Sequence, residues 1–125
     1  MPLAIGYKRS LPETPVIAFT GDAGLEMVLG ELATLRDCGE PVIVLVFVDE
    51  SLALIELKQR GVGHANAGVD FASLDYAAIG RSLGGHGVTV RSRAELATAL
   101  EAAFAAERFT VIGCKLERHA YDGRI

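Results

Sequence analysis

The chain has 125 residues, one domain's worth, and half of them (50%) are apolar, so a single hydrophobic core is expected. Its net charge of −4 comes with no basic block, which argues against a nucleic-acid partner. The longest apolar run, Val42 to Val48, is far too short to span a membrane, so no membrane role is expected either. The first residues, Met1-Pro2-Leu3-Ala4 and then Tyr7-Lys8-Arg9, lack the order of charge and apolar stretch that marks a signal peptide. Cys38 and Cys114 are distant in sequence, and neither sits in a metal-type pair. Both read as reduced thiols of a cytoplasmic protein, Cys114 as a buried strand residue.

In chain order, the first predicted element is the apolar strand Val16-Ile17-Ala18-Phe19, which runs into the turn Gly21-Asp22-Ala23-Gly24. Residues 24–37 follow with Leu25, Val28, Leu29, Leu32 and Leu35 at helical spacing. Gly39 and Pro41 stop that helix. A second strand, the run from Val42 to Val48, ends in Asp49-Glu50-Ser51. Residues 52–60 predict a shorter helix that Ser51 can cap, and the glycine-rich stretch 60–68, with His64 and Asn66, predicts a loop.

Asp70 is a candidate cap for a helix carrying Phe71, Leu74, Ala78 and Ile79, broken by Gly84-Gly85-His86-Gly87. A short strand, Val88-Thr89-Val90, comes next. Ser92 and Glu95 form a capping box for a helix reaching about Glu107. The last strand, residues 109–116, is apolar almost throughout, as a strand covered on both faces should be. The polar tail 117–125 is expected to be loose or docked on a neighbour. Four strands alternating with helices make an α/β domain: a parallel sheet wrapped by helices, with no internal repeat or linker.

Strand, acidic glycine turn, helix, strand and acidic end form one βαβ unit. It brings Asp22 and Asp49 to the same sheet edge, where open α/β sheets bind ligands. Two carboxylates beside a helix N-terminus suit a divalent cation that carries a phosphate. No P-loop, dinucleotide fingerprint or nucleophile elbow competes with this site. Glu31 and Glu50 read as solvated or interhelical carboxylates, and His64, His86 and His119 as loop, turn and tail residues, none with a second histidine at metal-ligand spacing.

Taken together, Gly21-Asp22-Ala23, Glu31-Leu32-Ala33-Thr34, Pro41 with its apolar run, Leu54-Ile55, Gln59 and Asp70-Phe71 resemble one family. It is the diphosphate-binding domain of thiamine-diphosphate-dependent enzymes, most closely acetolactate synthase and the 2-oxoacid decarboxylases. The likeness covers nearly all of the chain from Pro15 onward. It departs from the family at Val48-Asp49, which stands where the family has Asn-Asn.

The resemblance implies thiamine diphosphate and Mg²⁺ as cofactors. Asp22, Asp49 and the Ser51 main-chain carbonyl would be the metal ligands, and the Ala23 and Gly24 backbone N–H groups would meet the diphosphate. It assigns no catalytic residue to this chain. The family's catalytic glutamate belongs to a separate pyrimidine-binding domain or subunit, so that domain is the implied partner. The family pattern's upstream portion is here reduced to residues 1–14, which implies a domain truncated at its N-terminus. The expected activity is making or breaking a carbon–carbon bond in 2-oxo acids, as part of a homo-oligomer and not alone. The alternative is a non-catalytic, self-associating remnant of the same fold that does not bind cofactor on its own.

Overall fold

The computed structural model describes residues 1–120 and 122–123. Four strands, β1 (Val16–Gly21), β2 (Val42–Val48), β3 (His86–Val90) and β4 (Thr110–Lys115), form one wholly parallel sheet in the order β1-β2-β4-β3. β2 and β4 sit in the middle and are buried on both faces except at Phe47 and Lys115. That explains their unbroken apolar runs. Alternate residues serve two cores. Val42, Val44, Val46, Val48 and Val111 pack with Leu25, Leu32, Leu35 and Phe109 on one face. Ile43, Leu45, Ile112 and Cys114 pack with Ala99 and Ala103 on the other. Cys38 and Cys114 are both free thiols, and burial pushes the Cys114 thiol up.

Helix α1 (Pro2–Ser10) has no counterpart in the expectations drawn from sequence. Proline at its start is pre-set for helix, and Lys8 and Arg9 suit its C-terminal end. Ile5 anchors it to the core, while the buried Lys8 ammonium donates to the carbonyls of Pro12 and Thr14.

The helix expected over 24–37 is in fact two, α2 (Asp22–Glu26) and α3 (Glu31–Cys38). Between them the N–H groups of Val28, Glu31, Leu32 and Ala33 each bond the carbonyl three residues back. Such tight turns keep the apolar residues on one side, so spacing alone does not separate one helix from two. Gly39, at φ 69, ends α3 in the left-handed region, and Glu40 N–H reaches back to the Leu35 carbonyl.

Helix α4 (Ala53–Gly61) lies where a helix was expected, but its N-cap position falls on Leu52, so Ser51 does not cap it; the Ser51 hydroxyl donates to Asp70. Asp70 likewise caps no helix. Residues 70 and 51 form an isolated antiparallel bridge, and α5 (Tyr76–Ser82) starts later, capped by Asp75, which accepts from Ala78 N–H at 2.9 Å.

β3 begins two residues before the expected strand, since the glycines let it lie against α5. A Cβ on Gly87 would overlap the Ala77 carbonyl, whose carbon would stand 2.7 Å away. Helix α6 (Arg93–Phe104) is capped by Ser92, and Glu95 reaches back to the Arg91 N–H; it stops short of Glu107.

The described part of the tail makes contacts with its own chain. Arg118 pairs with Asp70 at 3.0 Å, and Arg60 grips both Asp122 oxygens at 2.9 and 2.8 Å. Tyr121, Arg124 and Ile125, also in the expected tail, lie outside the described residues.

Candidate functional site

The register of β1 on β2 pairs Gly21 with Phe47, so Asp22 comes level with Val48, one residue before Asp49. Both acidic residues therefore leave the sheet at its C-terminal edge. Asp22 is 3% exposed, and each of its carboxylate oxygens accepts a backbone N–H at 2.9 Å, one from Ala23 and one from Glu50. The second bond ties the end of β1 to the turn after β2.

Asp49 is half-buried, and one of its oxygens accepts the Ser51 N–H at 3.3 Å. Burial, and after it the Asp22 charge, push the Asp49 carboxyl above the usual carboxylate range, against the Ser51 amide, which lowers it. The two acids are thus close enough to repel one another, a repulsion that a bound cation would relieve.

Between Asp49 and Ser51, Glu50 takes a left-handed conformation, φ 61. On the far side of this turn, Leu52 N–H donates to the Val69 carbonyl and Phe71 N–H to the Glu50 carbonyl. In an antiparallel bridge of this kind the N–H and C=O of Ser51 point away from residues 69–71. Its N–H goes to Asp49, and no N–H among the described residues donates to its carbonyl. Two carboxylates and an unused carbonyl, all hard oxygen donors, fit a hard divalent cation. Among the described residues no group of three His, Cys, Asp or Glu side chains could hold a metal, so any such ion depends on this mixed donor set.

Ala23 N–H is already engaged by the Asp22 carboxylate. Helix α2 has only 5 residues, so the macrodipole expected from a long helix is small here.

An open hollow of ≈ 600 Å³ adjoins the pair, lined by Asp22, Gly24 and Asp49 together with Phe47, Leu54 and Ile55. Its lining is chiefly apolar, with the two acids among the few polar groups, as in most small-molecule pockets. A larger hollow, ≈ 840 Å³ between β3 and α6, is lined chiefly by alanines and β3 residues and lies away from the acidic pair.

Sequence reasoning missed Lys115, whose ammonium meets Glu50 at 3.0 Å and Ser73 at 2.6 Å, and missed the contact of Asp70, read there as a helix cap, with Ser51 at 2.9 Å. Neither had a local signal, because each reaches the turn through tertiary contact. Glu50 is ion-paired and not merely solvated, with its carboxyl lowered by Lys115. His64 and His86 are exposed and stand apart from the acidic pair; His119 approaches Glu56 at 3.6 Å.

A parallel α/β sheet with an acidic pair at its C-terminal edge has its candidate site where open α/β domains bind ligands. The sequence matches the family described as thiamine pyrophosphate enzyme, C-terminal TPP binding domain, over residues 1–114, and the chain belongs to that family. It is similar to the protein YdaP of Bacillus subtilis, at 33% identity over 112 residues, covering 90% of this chain and 20% of that one. The acetolactate synthase large subunit of Haemophilus influenzae is 26% identical over 129 residues, with 99% of this chain and 22% of that one covered.

Among solved structures, the benzoylformate decarboxylase of Polynucleobacter necessarius superposes with a TM-score of 0.83 at 25% identity, over 94% of this chain and 22% of its own. The thiamine diphosphate-dependent 4-hydroxybenzoylformate decarboxylase of Rhodococcus jostii RHA1 gives 0.86 at 20% identity, with the same coverage, and shares the fold. The chain thus spans about a fifth of the length of these relatives (20% and 22%). No helix among the described residues is long and apolar enough to cross a membrane.

Proposed function

We propose that this domain holds Mg²⁺–thiamine diphosphate for an acetolactate-synthase-like or decarboxylase-like enzyme that makes or breaks a carbon–carbon bond in 2-oxo acids. The observation that carries this reading is the Asp22–Asp49 pair, two like charges at one sheet edge, close enough for the Asp22 charge to raise the Asp49 carboxyl, with the Ser51 carbonyl left without a backbone partner among the described residues in the turn that follows. Asp22, Asp49 and Ser51 would hold the cation, and the cation would hold the diphosphate. Of the two backbone donors at the turn, Gly24 is the better placed to meet a phosphate oxygen, Ala23 being engaged by Asp22.

The aspartate that replaces the family's asparagine at position 49 keeps an oxygen donor and adds a charge. It should tighten metal binding while weakening the pull on the diphosphate. The cofactor, when bound, supplies the carbanion chemistry of the family. The residues of this chain bind and orient it. A pyrimidine-binding domain or subunit would seat against the exposed Leu54, Ile55 and Met27 beside the site, and the catalytic glutamate would come from it.

That same exposed face supports the second reading, a self-associating domain that binds no cofactor. Calorimetric titration with thiamine diphosphate, with and without Mg²⁺, separates them. Saturable binding that needs Mg²⁺ and is lost in Asp49→Ala is the expected result. A folded chain that binds nothing under either condition and sediments as a dimer would overturn the cofactor reading.

A further inference from the structure

The corner that carries two of the three proposed metal ligands is conformationally costly. A non-glycine residue at φ 61, as Glu50 is, sits in a region its own Cβ disfavours, and such a backbone persists only where its surroundings over-determine it. Here the surroundings are identifiable. Glu50 N–H is held by Asp22 at 2.9 Å, and its carbonyl by Phe71 N–H at 3.2 Å.

Its carboxylate is held by Lys115 at 3.0 Å, and Lys115 is itself fixed by the Ser73 hydroxyl at 2.6 Å. One residue on, the Ser51 hydroxyl donates to Asp70 at 2.9 Å. The other Asp70 oxygen receives Asn66 at 2.9 Å and Arg118 at 3.0 Å. Two cations, Lys115 and Arg118, thus stand behind an acidic turn and counter the repulsion that would splay it.

We propose that Lys115 and Asp70 are positioning residues that lock the Glu50 corner in its left-handed form and so set the Asp49 carboxylate and Ser51 carbonyl relative to Asp22. Neither is placed to touch the cation. The consequence for metal binding rests on the reading of Asp22, Asp49 and Ser51 as its ligands, but the bracing of the turn does not. A glycine at position 50 would adopt the left-handed form without strain. Glutamate there is explained by the tether it offers to Lys115 at the end of β4.

The experiment compares the full chain with Lys115→Met, Asp70→Asn and Lys115→Met/Glu50→Gly. Amide hydrogen exchange is followed by NMR, alongside urea unfolding and calorimetric titration with Mg²⁺–thiamine diphosphate. Exchange at Glu50, Ser51 and Leu52 should quicken about tenfold or more in each single variant, while Val44 and Val46 keep the protection of the global fold. Affinity for the Mg²⁺–cofactor pair should fall about 10- to 100-fold, as it does when groups that orient metal ligands are removed. The double variant, with glycine at the corner, should recover most of that affinity.

Unchanged exchange at residues 50–52 in both single variants would overturn the proposal. So would faster exchange with undiminished affinity, or a double variant no better than Lys115→Met. If the unaltered chain binds no cofactor while exchange responds as described, the brace stands and the cofactor reading fails. Asp70 is a surface residue, so Asp70→Asn keeps the test open should Lys115→Met fold poorly.

Discussion

Replacing Asp22 by alanine should destabilise the domain before any ligand is considered. The carboxylate is buried and takes two backbone N–H groups, both at 2.9 Å, one of them across the sheet edge from Glu50. A hydrogen bond to a charged group is worth about 1.5–3 kcal/mol, so losing both costs roughly 3–6 kcal/mol. Part of this returns, because the charge facing Asp49 disappears and one fewer carboxylate is desolvated. A net loss of about 2–4 kcal/mol is expected. For a domain of this size that is on the order of 10 °C in Tm, or about 1–2 M in the urea midpoint.

Asp22→Asn keeps one acceptor oxygen but turns an amide NH₂ toward the other N–H. It should therefore fall about midway between the two. Urea melts of the three proteins, read by far-ultraviolet circular dichroism, give the comparison. If Asp22→Ala unfolds within about 0.5 kcal/mol of the unaltered chain, the two-amide anchor is refuted. If Asp22→Asn is the most stable of the three, charge repulsion outweighs hydrogen bonding at this edge. In either case Asp22→Ala is a poor sole control for cofactor binding, because it also loosens the Glu50 turn.

Asp49→Asn should act the other way. The folded state raises the Asp49 pKa above its ordinary 3.8, so folding takes up a proton between the two values. Stability therefore falls as pH rises through that window, and the penalty is fully present at neutral pH. Asparagine removes it, so the variant should be more stable at pH 7 and equal at pH about 3, as urea melts at both would show. Gly87→Ala forces a Cβ into the Ala77 backbone and should cost about 3 kcal/mol or more, seen as a lower urea midpoint. Tyr76→Phe loses the 2.7 Å bond to Glu26 and should cost roughly 1–2 kcal/mol. Burial and then Glu26 hold the Tyr76 phenol well above its usual pKa, so spectrophotometric titration should find one fewer high-pH tyrosine in that variant.

The sheet and the acidic pair were legible because their signals are local. Unbroken apolar runs announce β2 and β4, and one βαβ unit is enough to bring Asp22 and Asp49 to a common edge. The split between α2 and α3 was not legible, since Leu25, Leu32 and Leu35 keep to one side through the intervening turns. Helix α1 was missed because Leu3 and Tyr7 lie exposed beside buried Ile5 and Lys8, which blurs any apolar stripe. Asp70 carries a cap's chemistry, and only the bridge to Ser51 shows that it is spent elsewhere. Lys115 and Arg118 reach the site from the far end of the chain, and no spacing rule predicts such a meeting.

The strand order has a bearing on how the domain closes. β1 pairs with β2 and β3 with β4 across short crossovers, Val16 with Val42 and His86 with Thr110. The central seam joins Ile43 to Thr110, enclosing a much longer loop, and its closure entropy exceeds that of either crossover by about 1 kcal/mol. Each half alone would be a two-stranded sheet covered only by its own helices, with one face of β2 or β4 robbed of its neighbours in the shared cores. The seam is what merges two crossover units into one cooperative body. Lys115 sits at its end, in register with Val48, so the turn bearing Asp49 takes its final shape only when the halves have joined.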